Sequence, residues 1–281
     1  MNVSFLDFWY GFQPENNFFI HLLRLIKESV NITSPENADV IFYSCFGDSH
    51  KKYNSKKIFF TGENLRPDFN DCDLSLSFDF DDYSNRNIRL PLWYLYIDWF
   101  NVKSYNNPDW LIPVEYLSGD NEFTKKDKNQ FCSTVFSSPY NSRFNMVNLL
   151  NNYKQVDCYG KIHNNKLPDG EKYKMDVISN YKFNICFENS LYPGYFTEKL
   201  LHAKIAGCIP IYYSDKSYSE DFNKKCCINL IDFENEYDFF EYIKLIDNDE
   251  NLYNNILSEA LFDTQTSLDS ILNNFKKIII I

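Results

Sequence analysis

Glycine is scarce in this chain, with eight in 281 residues. None of the eight is arranged as G-x-G-x-x-G, as a P-loop or as G-x-S-x-G, so dinucleotide, ATP-loop and serine-hydrolase readings lose their support. Long apolar runs are missing too. No segment reaches the roughly 18 apolar residues that a membrane span needs, and the start, MNVSFLDFWYGF, has no basic stretch ahead of an apolar core. The expectation is a cytoplasmic chain without a signal peptide or a transmembrane anchor. Positive charge is in deficit, 28 Lys and Arg against 39 Asp and Glu for a net −11. That removes the electrostatic source of sequence-independent nucleic-acid binding and argues against such a partner. A bound phosphate must then be held by a few placed cations and backbone amides. The eight cysteines include no CxxC pair, and no His stands at metal spacing, so buried reduced thiols are expected rather than a disulfide frame or a zinc site.

Aromatic side chains are in excess, 26 Phe and 21 Tyr within a hydrophobic fraction of 44%. They imply a packed core; the excess fits A/T-rich codon usage as well as stacking on sugars or bases. Apolar β-rich runs alternate with helix-period segments. NVSFLDFWY, NNFFIHLLRLIKESV, ADVIFYSCF and KKIFFTGEN form one series, and QFCSTVFSS, SRFNMVNLLNNY, QVDCYG, FNICFEN, TEKLLHAKIAG and CIPIYYSD form a second. This rhythm, met twice, predicts an α/β protein of two Rossmann-like βαβ domains facing across a cleft. The polar SGDNEFTKKDKNQ reads as a linker, which puts the domains at 1–127 and 128–281, the last helix free to pack back on the first.

The most informative stretch is YKFNICFENSLYPGYFTEKLLHAKIAGCIPIYYSD, residues 181–215. FNICF suits a strand buried on both faces. Pro193 and Gly194 turn the chain, Thr197 is placed to cap a helix, Leu200, Leu201 and Ile205 share a helical face, and Gly207 stops it. The polar residues Glu188, Asn189, Tyr195, Glu198 and Lys199 thus gather between a strand's carboxyl end and a helix's amino end, where open α/β sheets bind ligands. The free N–H groups and partial positive charge of that helix end suit a diphosphate. The alternative is a favourable first-turn acid at Glu198 beside a solvated Lys199; yet the dipole disfavours a lysine in a first turn, which points to function.

These residues resemble the signature of the family 10 glycosyltransferases, the α-1,3/4-fucosyltransferases, roughly YKFxLxFENSxxxxYxTEKxxxAxxAGxIPIYxG. The likeness extends to DFWYGFQPENNFF, FFTGENLRPDFNDCDLSLSFDFDD, NRNIRLPLWYLY and FCSTVFSSPYNSRFNMVNLLNNYKQVDCYGK, nearly the whole chain. It departs at Ser214-Asp215, where many relatives have Gly, and at Tyr159 beside Gly160, where a second Gly is common. Many relatives carry a Golgi anchor and stem; this chain resembles the soluble, compact members.

The resemblance implies a GT-B arrangement and transfer of L-fucose from GDP-β-L-fucose to a hydroxyl of an N-acetylglucosamine-type acceptor, with inversion. The partners are then a nucleotide sugar and an oligosaccharide or glycan. It also implies that Glu63, in the loop after KKIFF, is the general base. Arg143 and Lys199 match the family's diphosphate contacts, and Glu188, Asn189, Tyr195, Thr197 and Glu198 complete the donor site. Without the resemblance Glu63 reads as an ordinary loop glutamate. Inversion needs one base and stabilisation of the leaving group, not a nucleophile. DCD at 71–73 and DFDD at 79–82 mimic a metal-binding DxD, but acid pairs are frequent in so acidic a chain. No cofactor is expected to be required, stimulation by Mn²⁺ or Mg²⁺ being left open. The aromatics of DFWYGF and PLWYLYIDWF read as core before they read as a sugar platform. Two rivals remain: a transferase of another nucleotide sugar such as GDP-mannose, and a non-catalytic sugar or nucleotide binder that keeps the fold.

Overall fold

The structure, a computed structural model, describes residues 1–137, 140–160, 167 and 170–279, and it divides into two compact units, Met1–Pro113 with Thr266–Ile281 and Val114–Gln265. The first unit holds β1 (Asn2–Leu6), α1 (Phe18–Arg24), β2 (Asn31–Ile32), β3 (Val40–Tyr43), β4 (Lys56–Phe60), β5 (Leu74–Ser77) and β6 (Asn87–Arg89). Its six strands form one parallel sheet in the order β2-β1-β3-β4-β5-β6. In β3 all four residues are buried: Val40 and Phe42 pack into the larger core, while Ile41 and Tyr43, one pleat over, pack with Phe59 and Cys72. That is the two-sided burial expected of a parallel strand. Helix α1 is capped by Asn17, whose side chain accepts from the Ile20 N–H at 2.9 Å, and it buries Phe18, Phe19, Ile20, Leu22 and Leu23.

Among the described residues α1 is the only α-helix in the crossovers of this sheet; β3 to β6 are joined by 3₁₀ turns and loops. The cause is local. Asp68 accepts from the Asn70 N–H, Asp81 from the Tyr83 N–H and Asp82 from the Ser84 N–H, each two residues on. These Asx turns offer the backbone a partner that competes with a helix.

The second unit holds β7 (Gln130–Val135), α2 (Asn141–Asn151), β8 (Val156–Tyr159), α3 (Glu171–Ile178), β9 (Tyr181–Ile185), α4 (Glu198–Ile205), β10 (Ile209–Tyr212), β11 (Ile228–Asn229), α5 (Glu236–Asn248) and α6 (Glu250–Ser258). Its sheet is also parallel, in the order β11-β10-β9-β7-β8, with β9 central. The polar segment read as a linker belongs to this unit. Asn121 donates to the Ile205 carbonyl, and Lys128 reaches the carbonyls of Phe123, Ser179 and Ala206, so its charge closes the carboxyl ends of α3 and α4. The unit therefore begins at Val114 rather than at 128. The closing helix α7 (Asp269–Ile279) returns to the first unit, where Ile271 and Phe275 join its core. All eight cysteines are free thiols, six of them buried. Among the described residues no helix is long and apolar enough to cross a membrane.

Candidate active site

Strand β9 delivers its polar cargo where the sequence pattern puts it. After Ile185 the chain runs through Cys186 and Phe187 to Glu188 and Asn189, then turns at Gly194, whose φ of +84° is in the left-handed region that glycine tolerates. Ser217 Oγ accepts from the Gly194 N–H at 3.0 Å and pins the turn. Thr197 follows with extended backbone and α4 starts at Glu198.

Glu188 is the hub of this loop, and its side chain is fully buried. Its Oε1 accepts from the Thr197 N–H at 2.8 Å and the Tyr212 hydroxyl at 2.9 Å; its Oε2 accepts from Thr197 Oγ1 at 2.8 Å and Lys199 Nζ at 3.1 Å. Both oxygens are thus occupied by donors of the protein. Thr197 stands at the N-cap position expected of it, but its hydroxyl makes no cap bond: it donates to Glu188 and accepts from Lys199 Nζ at 2.7 Å. The hydroxyl that would have closed the helix end fixes a lysine instead.

Lys199 is held charged. Burial pushes its pKa down, but Glu188 and Glu198 outweigh that and raise it above the ordinary lysine value. Glu198 is the converse case. Burial pushes it up, and Lys199 with Lys174 foremost bring it down to about 2. The His202 Nδ1 stands 2.9 Å from Lys174 Nζ, and since an ammonium only donates, Nδ1 accepts and the ring proton is on Nε2. Burial, with Lys174 next, holds His202 well below its usual range and therefore neutral. Arg143 enters from the first turn of α2 and is only 3% exposed. Its Nη2 donates to the Phe187 carbonyl at 2.7 Å and to Asn189 Oδ1 at 2.6 Å, and the rings of Phe136 and Tyr140 flank the guanidinium at 5.4 and 5.3 Å. Tyr195 is buried in the same turn. A hollow of about 40 Å³ opens among Thr134, Arg143, Lys174, Glu198, Lys199 and His202. It has room for water or phosphate oxygens, not for a nucleotide.

Arg143, Glu188, Asn189, Tyr195, Thr197, Glu198 and Lys199 therefore gather at the carboxyl end of β9. Glu63 belongs to the first unit. It follows β4 at the carboxyl end of that sheet, exposed, its N–H donating to Thr61 Oγ1 at 2.9 Å. With Trp9, Phe46, Gly62, Leu92 and Tyr96 it lines a hollow of about 190 Å³. A Cβ at Gly62 would come within 2.9 Å of both Leu92 methyl groups, which would have to shift to admit it.

The sequence reading missed Lys174, His202 and Tyr212. His202 lies four residues after Glu198, one helical turn, and that spacing could have found it. Tyr212 is hidden in an apolar strand, and Lys174 in a charged helix that reads as a solvated face. The acids of the DxD-like runs have protein partners. Asp71 pairs with Lys51, Asp73 accepts from the Lys57 N–H, Asp79 accepts from the Tyr83 hydroxyl and pairs with Arg66, and Asp81 and Asp82 make the Asx turns.

Known proteins resemble the chain in sequence and in fold. The model described as the alpha-(1,3)-fucosyltransferase FucT N-terminal domain matches residues 3–96, and that described as the glycosyltransferase family 10 (fucosyltransferase) C-term matches residues 123–258. The chain is 31% identical to the alpha-(1,3)-fucosyltransferase FucT of Helicobacter pylori over 96% of its own length, and it spans 63% of that protein. It is 34% identical to the 4-galactosyl-N-acetylglucosaminide 3-alpha-L-fucosyltransferase FUT6 of Homo sapiens over 41% of its own length and 32% of that protein's. A crystal structure of an alpha1,3-fucosyltransferase with GDP-fucose superposes with a TM-score of 0.74 at 27% identity, over 99% of this chain and 90% of that one.

Proposed function

The chain belongs to glycosyltransferase family 10, and from that membership we propose that it moves L-fucose from GDP-β-L-fucose to a hydroxyl of an N-acetylglucosamine-type acceptor, inverting the anomeric centre. The observation that carries the reading is the pair of cations, Arg143 and Lys199, each fixed by protein oxygens at the carboxyl end of β9. A departing diphosphate gathers negative charge as the sugar C1–O bond lengthens, and donors already in place stabilise it without reorganising. Arg143 brings a planar, delocalised cation fixed by its Nη2 bonds, while Lys199 adds a point charge beside the first turn of α4.

The other residues divide by how far their hydrogen bonds are spent. Glu188, with both oxygens occupied, positions Thr197 and Lys199. Glu198, ionised at any physiological pH, accepts from ribose or fucose hydroxyls. Asn189 orients Arg143 through its Oδ1 and keeps its amide N–H groups for the donor. Tyr195 packs the turn that carries them. Glu63 takes the proton of the acceptor hydroxyl as that oxygen bonds to C1 and GDP leaves with the electron pair of the broken bond. One base and one clamp suffice for a single displacement with inversion. We assign no metal to this step.

The decisive experiment follows GDP release from GDP-fucose with and without N-acetyllactosamine, for the wild type and Glu63→Gln. Acceptor-dependent release that collapses in the variant is expected. Release from GDP-mannose instead, or binding of GDP-fucose without turnover on any glycan acceptor, would overturn the reading.

A further inference from the structure

Phe46 is a puzzle in the first unit. It is 53% exposed, at the tip of the segment that leaves β3. Yet that segment is held by one of the most buried charged groups of the unit. Asp7, directly after β1, has a φ of +58°, uncommon for a residue with a side chain. Its carboxylate accepts from the Ser49 N–H at 3.1 Å, the His50 N–H at 2.9 Å and His50 Nδ1 at 2.7 Å, and its backbone carbonyl accepts from the Phe46 N–H at 3.0 Å. The side chains of Asp7 and His50 are each 5% exposed, and the imidazole stacks on Tyr43 at 3.8 Å. Gly47 is obligatory beneath this pair, since a Cβ would stand 2.5 Å from Asp7 Oδ1. The same segment is tied to the base loop: Cys45 Sγ lies 3.3 Å from Thr61 Oγ1, which accepts from the Glu63 N–H. Burying a carboxylate is expensive unless donors meet it, as three do at Asp7. Here it fixes, relative to Glu63, an aromatic ring that faces water.

The hollow beside Glu63 says what the ring meets. Trp9 forms a second aromatic wall, backed by Phe8 and Phe12 and with its indole N–H spent on the Asn107 carbonyl at 3.1 Å, so it offers a surface rather than a donor. Among the described residues lining the hollow, Glu63 alone carries charge. Aromatic walls around a single carboxylate suit an uncharged sugar ring, its apolar face on the rings and a hydroxyl on the acid; a sialic or uronic acid would meet repulsion. We propose that Phe46 is an acceptor-recognition residue, packing on the apolar face of the pyranose whose hydroxyl reaches Glu63, and that the Asp7–His50 pair is its positioning device. The inference rests on the fucosyl-transfer reading above and adds to it the sugar class and the residues that select it.

The test uses steady-state kinetics of the full chain with N-acetyllactosamine and GDP-fucose. Phe46→Ala should raise the acceptor KM about tenfold while the donor KM moves less than about twofold. Phe46→Tyr should restore the acceptor KM. Asp7→Asn should shift the acceptor KM in the same direction, and the double variant should fall short of the product of the two. An unchanged acceptor KM in Phe46→Ala, or an equal rise in both KM values, overturns the proposal. Should Asp7→Asn fail to fold, the exposed Phe46 variants decide it alone. If the wild type does not bind GDP-fucose in calorimetry, it is the transfer reading that falls. Saturation-transfer NMR of N-acetyllactosamine on wild type and Phe46→Ala then decides: a signal lost in the variant supports the proposal, and equal signals overturn it.

Discussion

The two sheets set their candidate site residues at the same topological place, the carboxyl ends of their strands, but treat charge in opposite ways. In the second unit Arg143, Glu188, Glu198 and Lys199 lie close together, their charges countered by one another and by protein donors and acceptors. In the first, Glu63 is exposed at the rim of an aromatic hollow, and the buried Asp7–His50 pair does its work behind the wall. Under the proposed function the difference matches the two halves of a group transfer. A leaving diphosphate is best met by cations already locked in place, because the benefit of preorganisation is that nothing moves when charge develops. A base must meet an incoming hydroxyl, so it stays accessible.

Substitutions at each end sharpen that contrast, beginning with the largest expected effect. Glu63→Gln removes the proposed proton acceptor at an exposed position, so kcat should fall about 10²- to 10⁴-fold. The donor dissociation constant, measured by calorimetry with GDP, should stay within about twofold in this variant, and a comparable loss of GDP affinity would erase the distinction between the two ends. Arg143→Ala should lower kcat/KM by about 2–4 kcal/mol of transition-state stabilisation. Arg143→Lys should recover only part of it, because an ammonium cannot reproduce the planar contacts that fix the guanidinium to Phe187 and Asn189; near-normal turnover in Arg143→Ala would remove Arg143 from the clamp. Glu188→Gln should act on stability as well as rate. One of its two oxygens becomes an amide nitrogen facing donors, which costs about 1–3 kcal/mol for a buried mismatch. Denaturant melts should show this, and an unchanged midpoint would make Glu188 a ligand contact rather than a strut.

How much of this was legible in the chain depends on which force places a residue. The parallel sheets follow from runs such as VIFY, in which every position is apolar, and FNICF, apolar but for Asn184, and the turn at Gly194 follows from residue type alone. The cluster at 188–199 was legible because it is contiguous. What spacing could not show is long-range pairing: Tyr212 reaching Glu188 from the next strand, Lys174 reaching His202 from a different helix, Asp7 reaching His50 across 43 positions. Thr197 teaches the same lesson at short range. Residue type and position both say helix cap, and Glu188 outcompetes the helix for its hydroxyl. Past β4 the crossovers of the first sheet hold no α-helix among the described residues, because aspartates there bond their own backbone.

The gentlest test of the locked-charge picture is titration. Glu198 has a folded pKa of about 2, below the 4.5 of an unconstrained glutamate, so the folded state favours its ionised form. Its contribution to stability is therefore complete above the unfolded value, and it is lost as pH falls from about 4.5 through about 2. Asp7 and Asp247 are also lowered and act with the same sign, so acid destabilisation of the wild type alone would not isolate Glu198. The comparison with Glu198→Gln does. The gap in Tm between wild type and variant should be constant from pH 7 to pH 5 and should narrow by pH 3, since the variant has no proton to gain at that position. A gap that is the same at pH 3 as at pH 7 would mean that Glu198 is not held ionised by Lys199 and Lys174, and the second unit would then resemble the first in leaving its acid free.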